Sequence, residues 1–253
     1  FGGLNSRGYA SVLSLYDSNR LKNPLKNNKE ISWKDLDNQI KNALKDISKN
    51  GKKIIFLSST IISPSCKEIL NSFSNKFDTT ELVYFDSISR SAILESNSKC
   101  FGESFIPTYN FDKAKTIVSF EADFLVDWLD SGHGRKYSKL RDPGKNMSKH
   151  YQFESLLSLT GSNADKRTPA NPDEQLNYLM YLFSKISMSE SNIEIENKAH
   201  KDLLDDILEE LLLNKGKSLV ISGSSNVKNQ IVVNAINYLL DNYTKTIDYN
   251  NKS

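Results

Sequence analysis

Lys53-Ile54-Ile55-Phe56-Leu57, closed by Ser58-Ser59-Thr60, is the stretch on which the fold reading turns. Four consecutive apolar residues between a lysine and a small polar turn show neither a helical stripe nor an in–out alternation. The pattern fits a strand buried on both faces, the habit of parallel sheets covered by helices. Working outward, Ser32 is placed to cap a helix over about 33–48, with Asp35 three residues on. Leu36, Ile40, Ala43, Leu44 and Ile47 form its apolar stripe. A helix over about 65–73 follows, then the strand Leu82-Val83-Tyr84-Phe85, a helix over 89–100 stopped by Gly102, and the strand Thr116-Ile117-Val118-Ser119-Phe120. Strand and helix alternate as in a doubly wound α/β fold of Rossmann-like type, with a mostly parallel sheet.

Further along, helices are expected over about 173–187 and 198–213, then a fourth strand, Ser218-Leu219-Val220-Ile221-Ser222, and a helix over 227–241. The segment 217–242 echoes 53–77: basic residue, apolar strand, small polar turn, amphipathic helix. The expected organisation is an extended arm over 1–30, an α/β unit with three strands over 31–125, an irregular loop region over 126–172, and a helical pair with a terminal strand–helix unit over 173–253. Glycines and prolines from Gly132 to Pro172 punctuate the loop region.

With 253 residues the chain can form one large or two small domains. Its 33 basic and 31 acidic residues are interspersed, with a net charge of +2, which argues against nucleic acid. No run approaches the ~20 apolar residues of a spanning helix, so no direct membrane span is expected. Two distant cysteines, Cys66 and Cys100, exclude a disulfide framework and give no iron–sulfur or zinc motif. The chain starts at Phe1 and reads as a processed or excised piece, so the lack of an export signal says little about its compartment.

Named motifs fail in turn. Gly216-Lys217-Ser218 imitates the end of a phosphate-binding loop, but Leu211 stands where a glycine is needed. Gly132 and Gly134 are followed by Tyr137 instead of a third glycine, and no nucleophile elbow exists. His133, His150 and His200 share no metal spacing and read as exposed surface residues; no metal site and no catalytic residue is assigned. The weak binding candidates are the strand-end turns Ser58, Ser59, Thr60 and Ser222, Gly223, Ser224, Ser225, whose amides could hold an anion. Tight turns need small residues in any case, and that is the preferred reading. Glu121 and Asp123 after the third strand could pair as carboxylates but serve equally as loop anchors. Glu154, Thr160, Asn163, Asp165 and Arg167 form the densest polar cluster, read as structural.

These segments add up to a resemblance. Gly3-Leu4-Asn5, the run from Ala10 to Asp17, and Glu30-Ile31-Ser32-Trp33 resemble the start of a molybdopterin oxidoreductase domain. Phe101-Gly102, Ile106-Pro107-Thr108-Tyr109-Asn110-Phe111-Asp112-Lys113-Ala114, and the run from Ile117 through Glu121-Ala122-Asp123 to Leu125 match more closely. So do Met147-Ser148-Lys149-His150, Glu154, and Leu159-Thr160-Gly161-Ser162-Asn163-Ala164-Asp165-Lys166-Arg167. In order and spacing they are similar to the large iron–sulfur, molybdopterin-like subunit of bacterial alternative complex III, a quinol:electron-acceptor oxidoreductase.

That resemblance implies a domain that keeps the molybdoenzyme fold without its molybdenum cofactor. Iron–sulfur clusters would lie in a separate domain of the full subunit. Partners would be other subunits of a membrane-bound respiratory complex, cytochrome c-type and integral membrane subunits among them. The implied location is the periplasmic face of the bacterial inner membrane. The lysine- and glycine-rich loop 132–145 departs from the family pattern. Two other readings stay open: a fragment of a true molybdopterin-binding oxidoreductase, and an unrelated nucleotide- or anion-binding α/β module.

Overall fold

The computed structural model describes residues 6–61, 63–129, 132–144, 146–190 and 193–252. The chain divides into two compact units, Ser11–Ser89 and a larger one formed by Phe1–Ala10 with Arg90–Ser253. Helix α1 (Ser6–Ala10) belongs to the larger unit.

In the smaller unit, a 3-10 turn at Ser11–Leu15 precedes a hairpin of β1 (Leu25–Lys26) and β2 (Lys29–Glu30). Asn27 and Asn28 make its two-residue turn at φ 52° and 62°, left-handed values that asparagine tolerates. The described part of 1–30 is therefore folded locally, not the expected extended arm; Gly3-Leu4-Asn5 lies outside the described residues. Helix α2 (Trp33–Lys49) starts where its cap predicts, with the Ser32 hydroxyl accepting from Asp35 N. β3 (Ile54–Ser58), α3 (Pro64–Lys76) and β4 (Thr80–Tyr84) follow, α3 capped by Ser63 and opened by Pro64. β3 and β4 pair in parallel, Ile54 opposite Thr80.

Two expectations fail here. β3 is not buried on both faces: Ile55 and Leu57 are 59% and 72% exposed, while Ile54 and Phe56 turn inward. The third strand does not join β3 and β4, which form a sheet of two. A run of apolar residues records only that a strand can be buried; whether helices cover both faces depends on the rest of the chain.

The larger unit continues with α4 (Ser91–Phe101), ended by Gly102 at φ 78°, then β5 (Pro107–Tyr109) and β6 (Thr116–Phe120). Next come α5 (His133–Ser138), β7 (Lys149–Glu154), α6 (Leu159–Ser162) and β8 (Lys166–Pro169). The stretch 126–172, expected to be irregular, thus supplies half of the main sheet. Helices α7 (Pro172–Ser187) and α8 (Lys198–Leu213), strand β9 (Ser218–Ser222), helix α9 (Val227–Leu239) and strand β10 (Ile247–Lys252) complete the unit. Asparagines 171, 197 and 226 cap the last three helices.

Four parallel strands lie in the order β8-β7-β6-β9, and β10 pairs antiparallel with β5 elsewhere. The chain runs outward from β6 through β7 to β8, then returns to place β9 on the other side of β6. That reversal is the switch point of a doubly wound sheet. One sheet face carries Val118, Phe120, Tyr151, Phe153 and Val220 against buried residues of α7, α8 and α9. Phe120 and Phe153 stack across the strands at 4.9 Å. At the free edge of β9, the Asn237 side chain accepts from Val220 N and donates to Val220 O, completing the ladder at 3.1 and 2.7 Å.

Candidate functional site

The opposite sheet face changes character across its width. On β9 and β6 it is apolar, with Leu219, Ile221 and Ile117 against Phe111, Phe124, Trp128 and Tyr137. On β7 the same face carries His150, Gln152 and Glu154, all buried, while Tyr151 and Phe153 point the other way. The period-2 geometry of a strand places these three polar side chains in one row.

The row is joined end to end. The Tyr137 hydroxyl lies 3.1 Å from His150 Nδ1 and donates to the Asn163 carbonyl. His150 Nε2 and Gln152 Oε1 are 3.2 Å apart, and Gln152 Nε2 donates to Glu154 Oε2 at 3.1 Å. Glu154 also accepts from Arg167 Nε at 2.7 Å and from the Ser158 amide and hydroxyl at 3.1 and 2.6 Å. Arg141 grips Asp165 with two nitrogens at 2.6 and 2.9 Å, and the His150 amide donates to the same carboxylate at 2.7 Å.

Protonation follows from these contacts. Burial drives the His150 imidazole down to about 4, so it is neutral near pH 7. Burial alone would raise the Glu154 carboxyl, but the donors from Ser158, Arg167 and Gln152 outweigh it and hold the group below the usual range. Asp165 is held low in the same way, burial being overcome by Arg141 and the His150 amide. The Tyr137 hydroxyl is pushed up to about 12, chiefly by burial. Over the neutral range Tyr137 and His150 therefore stay neutral, and Glu154 and Asp165 stay charged.

At the carboxyl ends of the strands, Asp123 accepts from the Thr160 amide and hydroxyl at 3.1 and 2.6 Å. Glu121 accepts from the Ser155 amide and hydroxyl at 3.2 and 2.6 Å. They tie the loop after β6 to the loop after β7, each carboxylate held by a different residue. Two glycines set how closely these parts approach. A Cβ at Gly161 would stand 1.9 Å from Glu154 Oε1. One at Gly223 would stand 2.4 Å from the Glu121 carbonyl oxygen, and Glu121 itself has φ 55°.

The turn after β9 uses its own polar groups. Ser222 Oγ accepts from Ser224 N, Ser224 Oγ accepts from Asn226 N, and Gln230 Nε2 donates to the carbonyls of Ser222 and Ser224. In the smaller unit, Asp86 accepts from the Thr60 amide at 2.9 Å and from its hydroxyl. The two candidate turns, Ser58-Ser59-Thr60 and Ser222-Gly223-Ser224-Ser225, belong to different compact units.

Of the residues singled out by sequence, Glu121, Asp123, Glu154, Thr160, Asn163, Asp165 and Arg167 do gather in one connected region. Tyr137, Arg141, His150, Gln152 and Ser158 were missed. The alternation in Lys149-His150-Tyr151-Gln152-Phe153-Glu154 was the available signal. The histidine expectation is corrected as well: His133 and His150 are 2% and 0% exposed. Among the described residues, no group of three or more His, Cys, Asp or Glu could hold a metal ion. No helix of the described residues is long and apolar enough to cross a membrane.

No protein-family model matches the sequence. No curated protein matches it either. Solved structures do match. Acetylene hydratase from Pelobacter acetylenicus is similar over 97% of this chain, with a TM-score of 0.60 and 12% identity. This chain spans 39% of that protein's length. At such an identity the likeness is one of fold alone.

Proposed function

We propose that this chain is a cofactor-free scaffold within an oxidoreductase complex, built on a molybdopterin-oxidoreductase-like fold. The finer form of the reading is the large subunit of an alternative complex III. There the domain would hold iron–sulfur and haem partners in geometry for passing electrons from quinol to cytochrome c or a similar acceptor. It would sit on the periplasmic face of the inner membrane among cytochrome c-type and integral membrane subunits, without catalysis of its own.

The observation that supports the scaffold reading is the closure of the strand ends. In a doubly wound sheet a ligand enters at the switch point, beyond the carboxyl ends of the strands on either side of the reversal. Here those strands are β6 and β9, and Gly223 brings the second loop onto the backbone of Glu121. The Gly223 amide donates to Phe120 O at 2.7 Å, and the serines beside it serve their own turn. These donors are engaged within the protein and the two loops meet at Gly223, which supports a strand-end crevice that holds no pterin nucleotide. The subunit assignment rests on the sequence resemblance.

The test is molybdenum and tungsten content by mass spectrometry, with oxidised-pterin fluorescence on the same sample. Both the chain and its full-length parent should come from cells that make the cofactor. Neither metal nor pterin should accompany them, and stoichiometric amounts of both in the parent would overturn the scaffold reading. Affinity purification of the tagged parent from solubilised membranes checks the finer reading. A c-type cytochrome and an integral membrane subunit should co-purify, and recovery of neither would overturn that assignment.

A further inference from the structure

The opposite end of the main sheet carries a different kind of surface. Lys113, Lys115, Lys217 and Lys245 line one cavity of about 400 Å³, together with Asn146 and Asp112. Asp112 is already paired with Lys139 at 2.8 Å. None of the other four lysines has a carboxylate partner among the described residues. Asp112 is the one acidic residue among those that line the cavity.

The fold forces these cations together. Thr116 of β6 stands opposite Ser218 of β9, and the register carried back one step sets Lys115 beside Lys217. The Lys115 amide donates to the Lys217 carbonyl at 2.6 Å. Like charges directly opposite on neighbouring strands repel. The glycine at 216, φ +74°, leaves room for a third: a Cβ there would lie 2.7 Å from Lys245 Nζ and 3.1 Å from its Cδ. The Lys245 stem therefore lies along the Gly216 backbone, holding its ammonium beside Lys217.

We propose that this cavity binds a small soluble polyphosphate group. Four ammonium ions around one concavity match several phosphate oxygens at once, and lysine serves phosphate as a compact point charge. The volume is of the size of small-ligand sites. The near-neutral chain with interspersed charges offers no extended basic track for a nucleic acid. A concave, locally basic site fits a compact anion better than it fits a flat lipid surface.

Titration calorimetry of the whole chain with inorganic tripolyphosphate tests this. One saturable site is expected, weaker for inorganic monophosphate and weakened by added salt. Lys217→Ala and Lys245→Ala should each weaken binding about tenfold, the loss of one charge-assisted contact. Lys228→Ala, at the start of α9, should leave it unchanged. Both site lysines are exposed, so circular dichroism should match the parent, and Lys113→Gln provides a third probe if either alanine variant misfolds. Absence of saturable binding, or equal loss with Lys228→Ala, would overturn the proposal. So would flotation with phosphatidylglycerol vesicles in the absence of tripolyphosphate binding.

Discussion

β3 and β9 are nearly the same phrase written twice. Each is a short apolar run after a lysine, ends in small polar residues and leads into a capped helix. Their surroundings differ. Every residue of β9 is buried, in the middle of a two-sided core; β3 alternates, with Ile55 and Leu57 facing outward in a sheet of two strands. The apolar run carries the propensity to be a strand, and the number of covering elements decides how much of it is worth in stability. Hydrophobic stabilisation follows the area removed from water, so equal sequences can contribute very unequal amounts.

Substitutions can break that contrast. The largest effect is expected for Phe153→Ala, which empties a site stacked on Phe120 and touching Tyr178. It should cost about 3–5 kcal/mol of unfolding free energy. The chain has two tryptophans, exposed Trp33 in the smaller unit and buried Trp128 in the larger. Urea unfolding followed by Trp128 fluorescence in a Trp33→Phe background therefore reads the larger unit alone. Next comes Glu154→Ala, which strands Arg167, Ser158 and Gln152 without their acceptor. About 2 kcal/mol is expected from the same measurement, because removing the buried carboxylate leaves the half-buried Arg167 and the Ser158 and Gln152 donors without their acceptor. A loss under 1 kcal/mol would show that water replaces the carboxylate and that the row is not closed.

The third effect is on pH. His150 is held neutral in the fold, with its pKa down at about 4, against an ordinary value near 6.5 in the unfolded chain. Between those values the unfolded chain binds a proton that the folded one refuses. Stability from this group is therefore complete above about pH 6.5 and falls as the pH drops toward 4. The slope is at most ~1.4 kcal/mol per pH unit. Glu154 and Asp165, both held low, add losses at still lower pH as they are forced to take protons. His150→Gln should flatten the upper window, seen in melting temperature against pH. The smallest effect is expected for Leu57→Ala in β3, under about 0.5 kcal/mol, because the side chain is 72% exposed. A cost near that of Phe153→Ala would mean that something covers this face in solution.

The legible parts of the sequence were those in which local chemistry decides. Ser32 begins and Gly102 ends a helix where each stands, and Thr116–Phe120 and Ser218–Ser222 are strands to the residue. What was not legible depends on pairing. β7 was hidden because one face of it is polar, so it lacks the apolar run that betrayed β6 and β9. β8, Lys-Arg-Thr-Pro, sits at the sheet edge and carries almost no apolar residue. The candidate site was half visible. Its carboxylates and Arg167 stood in one dense stretch, but Tyr137, Arg141 and His150 come together with it only when α5 and β7 take their places.

The missing side chain of Gly223 is what lets two loops meet backbone to backbone at the mouth of the sheet, so the position behaves as a latch that one methyl group would jam. An alanine there would force one of the two loops to move, because its Cβ would stand 2.4 Å from the Glu121 carbonyl oxygen. The spacing between the loops after β6 and β9 thus hangs on a single missing side chain.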